Sequence, residues 1–406
     1  METGRYPMSG VKIVELATVI AAPSATRLLS AYGAEVIKVE SMQGDDLRYV
    51  GAYFATPSED YRNPTFTAQN SNKQLIALNL KTEEGKAALS RLLQEADIFV
   101  TNLRGDALER LALDYNTLKE SFPRLIYAHL TGLGSKGPDA KAPGYDMTVF
   151  WGRIGAMCDW SEENGAPMLP TYGFGDNATG MAFLSAILMA LYGRVQTGKG
   201  TYVSTSLLSS GIWFSNDGLI HSQFMNGPQY RDLQHPPTMF NTVYRCKDGR
   251  WVTIYATGYN QFLPRFVKAM EMENLLEDPR YRSYESLHET GAILEAVERC
   301  QKKFLQRTAE EWKVHLLKNG LVCEVAYHLH DLCTDEQALA NGYVEPVAFA
   351  DGLSVTMANP PFEFSEYDQI PCESCGPIGQ DTDRVLGRLG YSREEVEALR
   401  EKKAIR

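Results

Sequence analysis

Short apolar runs alternate with amphipathic stretches along the N-terminal part of the chain. Lys12–Leu16 and Glu35–Glu40 have the β-branched composition of strands, and a helical pattern opens at Pro23 between them. Two strands joined by a helix over so short a span form a βαβ unit, in which the strands are parallel. We therefore predict a parallel sheet at the start of the chain.

The same alternation continues to about residue 130. Gln74–Leu80, Asp97–Val100 and Leu125–Leu130 are predicted strands, and 82–96 is a predicted amphipathic helix. Residues 41–72 show no clear period and are predicted to form a long loop. Repeated alternation of strands and helices is typical of an α/β fold with helices on both faces of the sheet.

The stretch Tyr172–Leu208 contains a glycine-flanked turn, a long apolar helix at about Met181–Tyr192, a Thr-Gly-Lys-Gly turn and a short strand. The helix is apolar on nearly every face, so we predict that it is buried. Asp176 lies at its entrance, between Gly175 and Asn177. An acid at this place can be a catalytic group, and it can equally be an ordinary helix N-cap.

The pattern changes after Leu208. Residues 211–240 mix aromatic residues with Asn, Gly and Pro, which is typical of a linker. Asn241–Ile254 predicts a hairpin that turns at Lys247-Asp248-Gly249, and several helical patterns follow it. This middle part predicts a smaller α+β unit.

Composition limits the class of function. The net charge is −11 and the Lys and Arg residues form no basic cluster, so we expect no nucleic-acid partner. The N-terminus has no apolar signal core, and no apolar run reaches the ~20 residues of a membrane span, so we expect no membrane association. Seven cysteines, an odd number, favour a reducing cytoplasm. Cys372 and Cys375 form a lone CxxC without a second pair, and we predict no metal site.

Few motifs carry chemistry by themselves. Gly132–Gly137 matches GxGxxG, but no apolar helix follows it, so the usual phosphate site cannot form there. Asp146 in PGYD and Asp176 in GFGD lie next to glycine-rich turns, and several basic residues follow predicted strands. Ligands of open α/β sheets bind at the carboxyl ends of strands. The residues alone therefore predict an α/β enzyme for an anionic ligand.

Several stretches together resemble the class III CoA-transferases, the family of formyl-CoA:oxalate and carnitine CoA-transferases. They occur in the order of the family over nearly the whole chain: GVKIVEL–AAP–GAEVIKVE (10–40), NSNKQLIALNLKTEEGK (70–86), EADIFVTNLR (95–104), LTGLGSKGP–PGYD (130–146), GDNATG (175–180), TGKG (197–200) and PIGQDTDRVLGRLGY (377–391). Within the family, the motifs GDDLR, NPTF, PGYD and GFGD are most similar to the 2-hydroxyisocaproate and phenyllactate CoA-transferases of amino-acid fermentation.

The resemblance implies a fold and an assembly. A Rossmann-like large domain would be built from both chain ends, with a smaller α+β domain from the middle of the chain. Two subunits would interlock into a homodimer, with CoA between domains and subunits. The division that we predict is a large domain over 1–210, a linker over 211–240, a small domain over 241–330, and a linker with the C-terminal part of the large domain over 331–406.

The resemblance also implies a mechanism. Asp176 matches the nucleophile of the family, whose carboxylate attacks an acyl-CoA thioester and forms first a mixed anhydride and then an aspartyl-CoA thioester. The amide group of Gly175 would stabilise the oxyanions. Asp146 lies where some members carry a second acid, and we assign it a supporting catalytic role or a structural one. An acyl-CoA thioester and a small carboxylic acid are then the substrates, and no cofactor is permanently bound.

Further positions match the CoA-binding residues of the family: Val19, Ala21, Lys81, Asn102, Leu103, Arg110 and Tyr145. Ile20 replaces a glutamine of the oxalate enzyme, which favours a carbon-rich acyl group. Phe150 and Trp151 could form the wall of such a pocket or belong to the core. The function that we predict is transfer of CoA from an acyl-CoA or enoyl-CoA to an (R)-2-hydroxy acid such as 2-hydroxyisocaproate, by a cytoplasmic homodimer.

Three alternatives are weaker. An acyl-CoA racemase of the same superfamily needs a His/Asp pair, and Tyr145 occupies the position of that histidine. A nicotinamide-dependent oxidoreductase is favoured only by Gly132–Gly137. A catalytically silent CoA-binding module is disfavoured because Asp176 is present.

Overall fold

The computed structural model describes residues 5–224, 232 and 236–406. The chain divides into two compact units. The first unit consists of Met1–Trp160, Pro167–Gln229 and Glu336–Arg406, and the second unit consists of Ser161–Ala166 and Tyr230–Asp335. The first unit therefore contains chain from both ends of the sequence.

A parallel sheet forms the centre of the first unit. Its six strands are β1 (Lys12–Leu16), β2 (Glu35–Glu40), β3 (Gln74–Ala77), β4 (Ile98–Thr101), β5 (Ile126–Thr131) and β6 (Tyr202–Ser206). They are ordered β3-β2-β1-β4-β5-β6, and each neighbouring pair is parallel. This is the strand order of a Rossmann sheet, whose ligands bind at the carboxyl ends of the strands where the order reverses. The predicted α/β fold with a parallel sheet is confirmed.

Two smaller antiparallel sheets complete the described strands. The second unit contains β7 (Thr242–Arg245), β8 (Trp251–Ile254) and β9 (Cys323–Val325). The first unit contains the pair β10 (Val344–Ala348) and β11 (Ser354–Ala358). The predicted hairpin is confirmed, because β7 and β8 pair across the turn at Gly249, whose φ of 82° suits a residue without a side chain.

The helices follow the strands in regular alternation at first. In chain order they are α1 (Ala21–Ala31), α2 (Leu47–Val50), α3 (Pro64–Asn70), α4 (Glu83–Glu95), α5 (Gly105–Arg110), α6 (Tyr115–Ser121), α7 (Ala156–Asp159), α8 (Phe174–Thr197), α9 (Leu207–Phe214), α10 (Asn216–Ser222), α11 (Tyr259–Ala269), α12 (Tyr284–Glu289), α13 (Ala292–Phe304), α14 (Ala309–Lys318), α15 (Glu336–Ala340), α16 (Thr382–Arg388) and α17 (Arg393–Glu401). A π-helix spans Asp146–Arg153, and short 3₁₀ turns occur at Gly51–Phe54, Glu273–Leu276, Pro279–Tyr281 and Leu329–Cys333.

Successive strand residues face opposite sides of the main sheet, so each strand contributes to two cores. Ile13 packs with residues of α1 and α8 on one face. Val14 packs on the other face with residues of α4, α16 and α17. The last residues of the chain complete this second core, where Ile405 also forms a bridge to Leu78. The second unit has its own core around Phe266.

Helix α8 differs from its prediction in extent and in burial. It begins at Phe174, so Asp176 lies within its first turn. Its second half is exposed: Met189, Tyr192 and Val195 keep 71%, 69% and 83% of their surface. In a uniformly apolar helix, the sequence does not distinguish a face that packs in the core from a face that is exposed. For this reason the predicted burial is wrong. By length and composition alone, α8 is the described helix that could span a membrane.

Two stretches predicted to be irregular contain helices. Helices α2 and α3 lie within 41–72, and Asn63 caps α3 through its side chain at the amide of Phe66. Helices α9 and α10 occupy the start of the predicted linker 211–240, of which 225–231 and 233–235 lie outside the described residues. Short capped helices of this kind are difficult to detect because few residues set their period.

Candidate active site

The first turn of α8 carries the candidate nucleophile. Gly173 caps this helix with a φ of 77°, a left-handed conformation that glycine adopts without strain. Asp176 follows in the first turn and keeps 8% of its surface. Burial, and next the negative charge of Asp146, raise the pKa of Asp176 from 3.8 to about 7. A carboxyl group of this kind is more basic than an ordinary aspartate, and at neutral pH a substantial fraction is ionised.

Asp146 lies beside this turn. It begins the π-helix Asp146–Arg153 and is 3% exposed. A Cβ atom at Gly175 would overlap the Asp146 carboxylate and the ring of Phe150, so only glycine fits between the two acids. Burial raises the pKa of Asp146, although the amides of Gly173, Gly175 and Asp176 act in the opposite direction. Among the residues that the structure describes, none lies within hydrogen-bond geometry of either carboxylate oxygen of Asp146.

The loop between β1 and α1 packs against the same turn. Ile20 is 4% exposed, and its Cδ1 atom lies 2.9 Å from the position that a Cβ of Gly173 would occupy. Val19 precedes it with a φ of 65°, which is strained for a β-branched residue. The amide of Val19 donates a hydrogen bond of 2.9 Å to Asp45 Oδ1. The carboxylate of Asp45 therefore stabilises the strained residue that sets Ile20 beside Gly173.

A buried ionic network holds Asp45 in place. Lys38 Nζ lies 2.8 Å from both Asp45 Oδ2 and Glu15 Oε1, and Lys73 Nζ lies 2.8 Å from Glu15 Oε2. Burial alone would raise the pKa of Glu15, but the two lysines outweigh it and lower the pKa to about 2. Burial lowers the pKa of Lys73 to about 8, whereas the surrounding carboxylates raise that of Lys38 in spite of its burial.

A cavity of about 520 Å³ opens at the carboxyl ends of β4 and β5. Asn102 and Leu103 line it, together with the glycine-rich turn from Gly132 to Gly134. The Asn102 side chain accepts a 3.0 Å hydrogen bond from the Thr18 amide and donates one of 2.7 Å to the Thr18 carbonyl, so it also anchors the β1–α1 loop. Arg104 and Lys141 contribute cations to the cavity lining, which also contains the carboxylates of Asp106, Glu109 and Asp114.

Three predicted binding residues lie away from these contacts. Lys81 and Arg110 are absent from the lining of the cavity at β4 and β5, and the Arg110 side chain pairs with Asp106 at 3.1 Å. Tyr145 caps the π-helix, and its ring is 66% exposed. Val19, Ile20 and Ala21 lie together at the β1–α1 loop.

The exposed aromatic residues next to Asp146 and Asp176 are not the ones that the sequence suggested. Phe150 and Trp151 are 3% and 4% exposed and belong to the core, so they cannot line an open pocket. Tyr172 and Phe174 are exposed instead. The Tyr172 ring lies 5.2 Å from that of Phe54. Burial, and next Asp176 and Asp146, raise the pKa of Tyr172 to about 12, which indicates that this residue is close to both acids.

Sequence reasoning missed Phe54, Tyr172 and Phe174. Tyr172 and Phe174 flank Gly173 in the sequence Tyr-Gly-Phe-Gly-Asp, and this proximity to Asp176 was the available signal. Phe54 had no such signal, because it lies in the stretch predicted as an irregular loop. Among the described residues no group of three or more His, Cys, Asp or Glu side chains could hold a metal ion, and all seven cysteines are free.

Comparison with known proteins agrees with this geometry. The model of CoA-transferase family III matches residues 8–382. The chain is 36% identical to an (R)-2-hydroxy-4-methylpentanoate CoA-transferase from Clostridioides difficile, over 98% of this chain and 99% of the relative. It is also 36% identical to a cinnamoyl-CoA:phenyllactate CoA-transferase from Clostridium sporogenes, over 100% of this chain and 98% of that relative. A crystal structure of a CAIB/BAIF family protein from Brucella suis aligns with a TM-score of 0.80 and 27% identity, over 95% of this chain and 100% of that one.

Proposed function

The chain belongs to CoA-transferase family III, and we propose that it moves coenzyme A from an acyl-CoA or enoyl-CoA to an (R)-2-hydroxy acid such as 2-hydroxyisocaproate. That it is a CoA-transferase follows from the family and from relatives that carry this name. Two similar relatives are named for 2-hydroxy acids, since 2-hydroxy-4-methylpentanoate and phenyllactate both carry a hydroxyl next to the carboxylate. The observation that carries the mechanism is a buried, basic Asp176 in the first turn of α8.

In the first half-reaction, the Asp176 carboxylate attacks the thioester carbonyl of the donor. The C–S bond breaks, and a mixed anhydride and the CoA thiolate are formed. The thiolate then attacks the aspartyl carbonyl of the anhydride, which releases the donor acid and leaves an aspartyl-CoA thioester. In this proposal the positive end of the α8 dipole stabilises the negative charge of each tetrahedral intermediate.

In the second half-reaction, the carboxylate of the acceptor acid attacks the aspartyl thioester. A second mixed anhydride forms and the CoA thiolate leaves. The thiolate attacks the acyl carbonyl of the acceptor, so the acceptor-CoA thioester is made and the Asp176 carboxylate is regenerated. No proton is gained or lost over the cycle, so the site needs no general acid that turns over.

Asp146 has a supporting role in this proposal. Its charge raises the pKa of Asp176, and a more basic carboxylate is a better nucleophile in its ionised form. Asp146 packs against Gly175, the residue before Asp176, and the lack of a side chain there allows this close approach. Asp146 therefore tunes the nucleophile without forming a covalent intermediate.

Coenzyme A would bind at the carboxyl edge of the sheet. The cavity lined by Asn102 and Leu103 has room for part of the nucleotide, and Arg104 and Lys141 supply cations for phosphate groups. We also retain Val19, Ala21, Lys81, Arg110 and Tyr145 as CoA-binding positions. For the acyl chain, Phe54, Tyr172 and Phe174 offer exposed apolar surface beside the turn that carries Asp176, and the buried Ile20 packs behind this turn at Gly173. Such a surface suits a branched aliphatic or aromatic acid.

We further infer an interlocked homodimer in the cytoplasm. The described parts of α8, α9 and α10 expose large apolar side chains that a second copy could cover: Leu188, Met189, Tyr192, Val195, Ile212, Trp213, Phe214, Leu219 and Ile220. Exposed apolar area of this extent is typical of protein interfaces. Seven free cysteines are in keeping with a reducing compartment.

The test combines transfer activity with trapping of the intermediate. The protein is mixed with 4-methylpentanoyl-CoA and quenched with hydroxylamine, which converts an aspartyl thioester into a hydroxamate that peptide mass spectrometry can locate. We expect the modification at Asp176, and CoA transfer when (R)-2-hydroxy-4-methylpentanoate is added. Asp176→Asn serves as the control that cannot form the anhydride.

The outcomes separate the parts of the proposal. Trapping at Asp176 without transfer to any 2-hydroxy acid would contradict the acceptor assignment and keep the mechanism. Turnover without modification of Asp176 would contradict the mechanism. Exchange of the α-proton for deuterium without CoA transfer would indicate a racemase instead.

A further inference from the structure

Arg27 is a buried cation without a counter-ion. It lies on α1 and is 5% exposed, and its enclosed Nε and Nη1 atoms have no hydrogen-bond partner in the described part of the chain. No ion pair of its side chain occurs among residues 5–224, 232 and 236–406. An unpaired buried charge is strongly unfavourable, so it indicates a missing partner.

The other buried cations of this unit show how the fold treats such groups. Arg48 is 1% exposed, and its Nε and Nη2 atoms each donate a 2.8 Å hydrogen bond to the Glu40 carboxylate. Lys38 and Lys73 share Glu15. Each of these cations has a carboxylate supplied by the chain, and Arg27 differs from them in this respect.

Arg27 lines a cavity of about 340 Å³ in the first unit. Gln69 of α3 and Asn177 of α8 bring amide groups to its lining, and the Gln69 side chain has no hydrogen bond to another described residue. Met181 and Met357 provide apolar surface. The cavity therefore has one guanidinium, amide groups able to donate hydrogen bonds, and a flexible apolar wall.

We propose that this cavity binds a short aliphatic monocarboxylate, with its carboxylate paired to Arg27 and its hydrocarbon tail against the two methionines. Nε and Nη1 of Arg27 are enclosed, so the carboxylate would accept a charge-assisted hydrogen bond from Nη2 at the cavity wall. The volume lies at the lower end of the ~300–1,000 Å³ that small-molecule sites occupy, which suits an acid of a few carbons and excludes a CoA ester. Asp176 and Asp146 do not line this cavity, so the site is separate from the nucleophile.

Thermal unfolding of the full chain tests the proposal. The probe is 4-methylpentanoate, and 4-methylpentanamide is its neutral control of the same shape. In the wild type, Tm should rise with the logarithm of the acid concentration, because a ligand of the folded state stabilises it. The amide should give no rise. Arg27→Met should lose the response to the acid, and Arg393→Met, which removes an exposed arginine of α17, should keep it.

The stability of Arg27→Met without acid is a second readout. Removing an unpaired buried charge should leave Tm unchanged or raised, whereas a merely structural arginine would lower it. A response to the acid that is as large in Arg27→Met as in the wild type would overturn the proposal, because the acid would then bind only elsewhere. Equal responses to acid and amide would also overturn it.

A crystal structure with 4-bromobutanoate needs no variant and covers the case in which Arg27→Met fails to fold. Anomalous density for bromine beside Met181 and Met357 would support the site, and an empty cavity at saturating acid would overturn it. Transfer activity is measured separately on the wild type. Its failure would contradict the proposed function and leave this binding result unaffected.

Discussion

At the scale of single residues, Asp176 is buried although the proposed chemistry requires its ionised form. Burial and the neighbouring Asp146 raise its pKa to about 7, so the folded protein holds an acid that would ionise far more readily in the unfolded chain. Strained or unfavourable groups of this kind concentrate at functional sites. The unfavourable burial of Asp176 is therefore expected to lower stability and to raise nucleophilicity together.

The first prediction concerns stability and pH. Because the folded pKa of Asp176 lies above its ordinary value of 3.8, the wild-type protein loses stability progressively as pH rises from 3.8 to about 7, and the full penalty remains above that pH. Asp176→Asn does not ionise, so it should be more stable than the wild type by on the order of 3–4 kcal/mol above about pH 7. The gap should shrink towards pH 4. Urea unfolding at about pH 5 and about pH 8 measures it, and a gap that is equal at both values would contradict the assignment. The Asp176→Asn variant should have no transfer activity.

The second prediction concerns the rate. Since the carboxylate is the nucleophile, kcat/KM for transfer should fall by about tenfold per pH unit below about pH 7. Asp146→Asn removes the charge that raises the pKa of Asp176, so the midpoint of this profile should move to lower pH. Complete pH–rate profiles of the wild type and the variant provide the measurement. A midpoint that stays in place would show that the charge of Asp146 does not reach the nucleophile.

At the scale of elements, the strands were predictable and the details of the site were not. Lys12–Leu16 and Glu35–Glu40 occur as predicted, because buried parallel strands are short, continuous apolar runs. Asp176 and Asp146 were found through glycine-rich motifs and family resemblance. The left-handed Val19 and its bond to Asp45 could not be predicted, because they depend on a network between residues far apart in sequence.

The third prediction tests that network. Asp45→Ala leaves Lys38 with one buried partner fewer and removes the acceptor of the Val19 amide. Loss of one member of a buried ion pair typically destabilises by about 3–5 kcal/mol. Asp46→Ala is the matched control, because Asp46 is exposed and caps α2 without a side-chain hydrogen bond. Urea unfolding should distinguish the two variants, and equal stabilities would exclude a structural role of Asp45.

At the scale of the whole molecule, the apolar surface of α8, α9 and α10 connects the candidate site to assembly. The same helix carries Asp176 in its first turn and exposes Tyr192 and Val195 near its end. The amino-acid pattern predicted a buried helix, and an apolar helix is left exposed in the single chain. Both observations are reconciled if a second copy covers it, which no pattern within one chain can reveal.

The fourth prediction is therefore made on Trp213, which is 77% exposed on α9. Trp213→Glu places a charge where the proposed dimer would bury an aromatic ring, and a desolvated charge without a partner disfavours association. Sedimentation velocity should find a dimer for the wild type and a shift to monomer for the variant. Val314→Glu, at a residue that is 67% exposed on α14 of the second unit, is the control and should remain a dimer.

Because α9 packs against α8 and the π-helix that begins at Asp146, loss of the dimer should reduce transfer activity as well. A monomeric wild type with full activity would contradict the assembly and leave the chemistry of Asp176 intact.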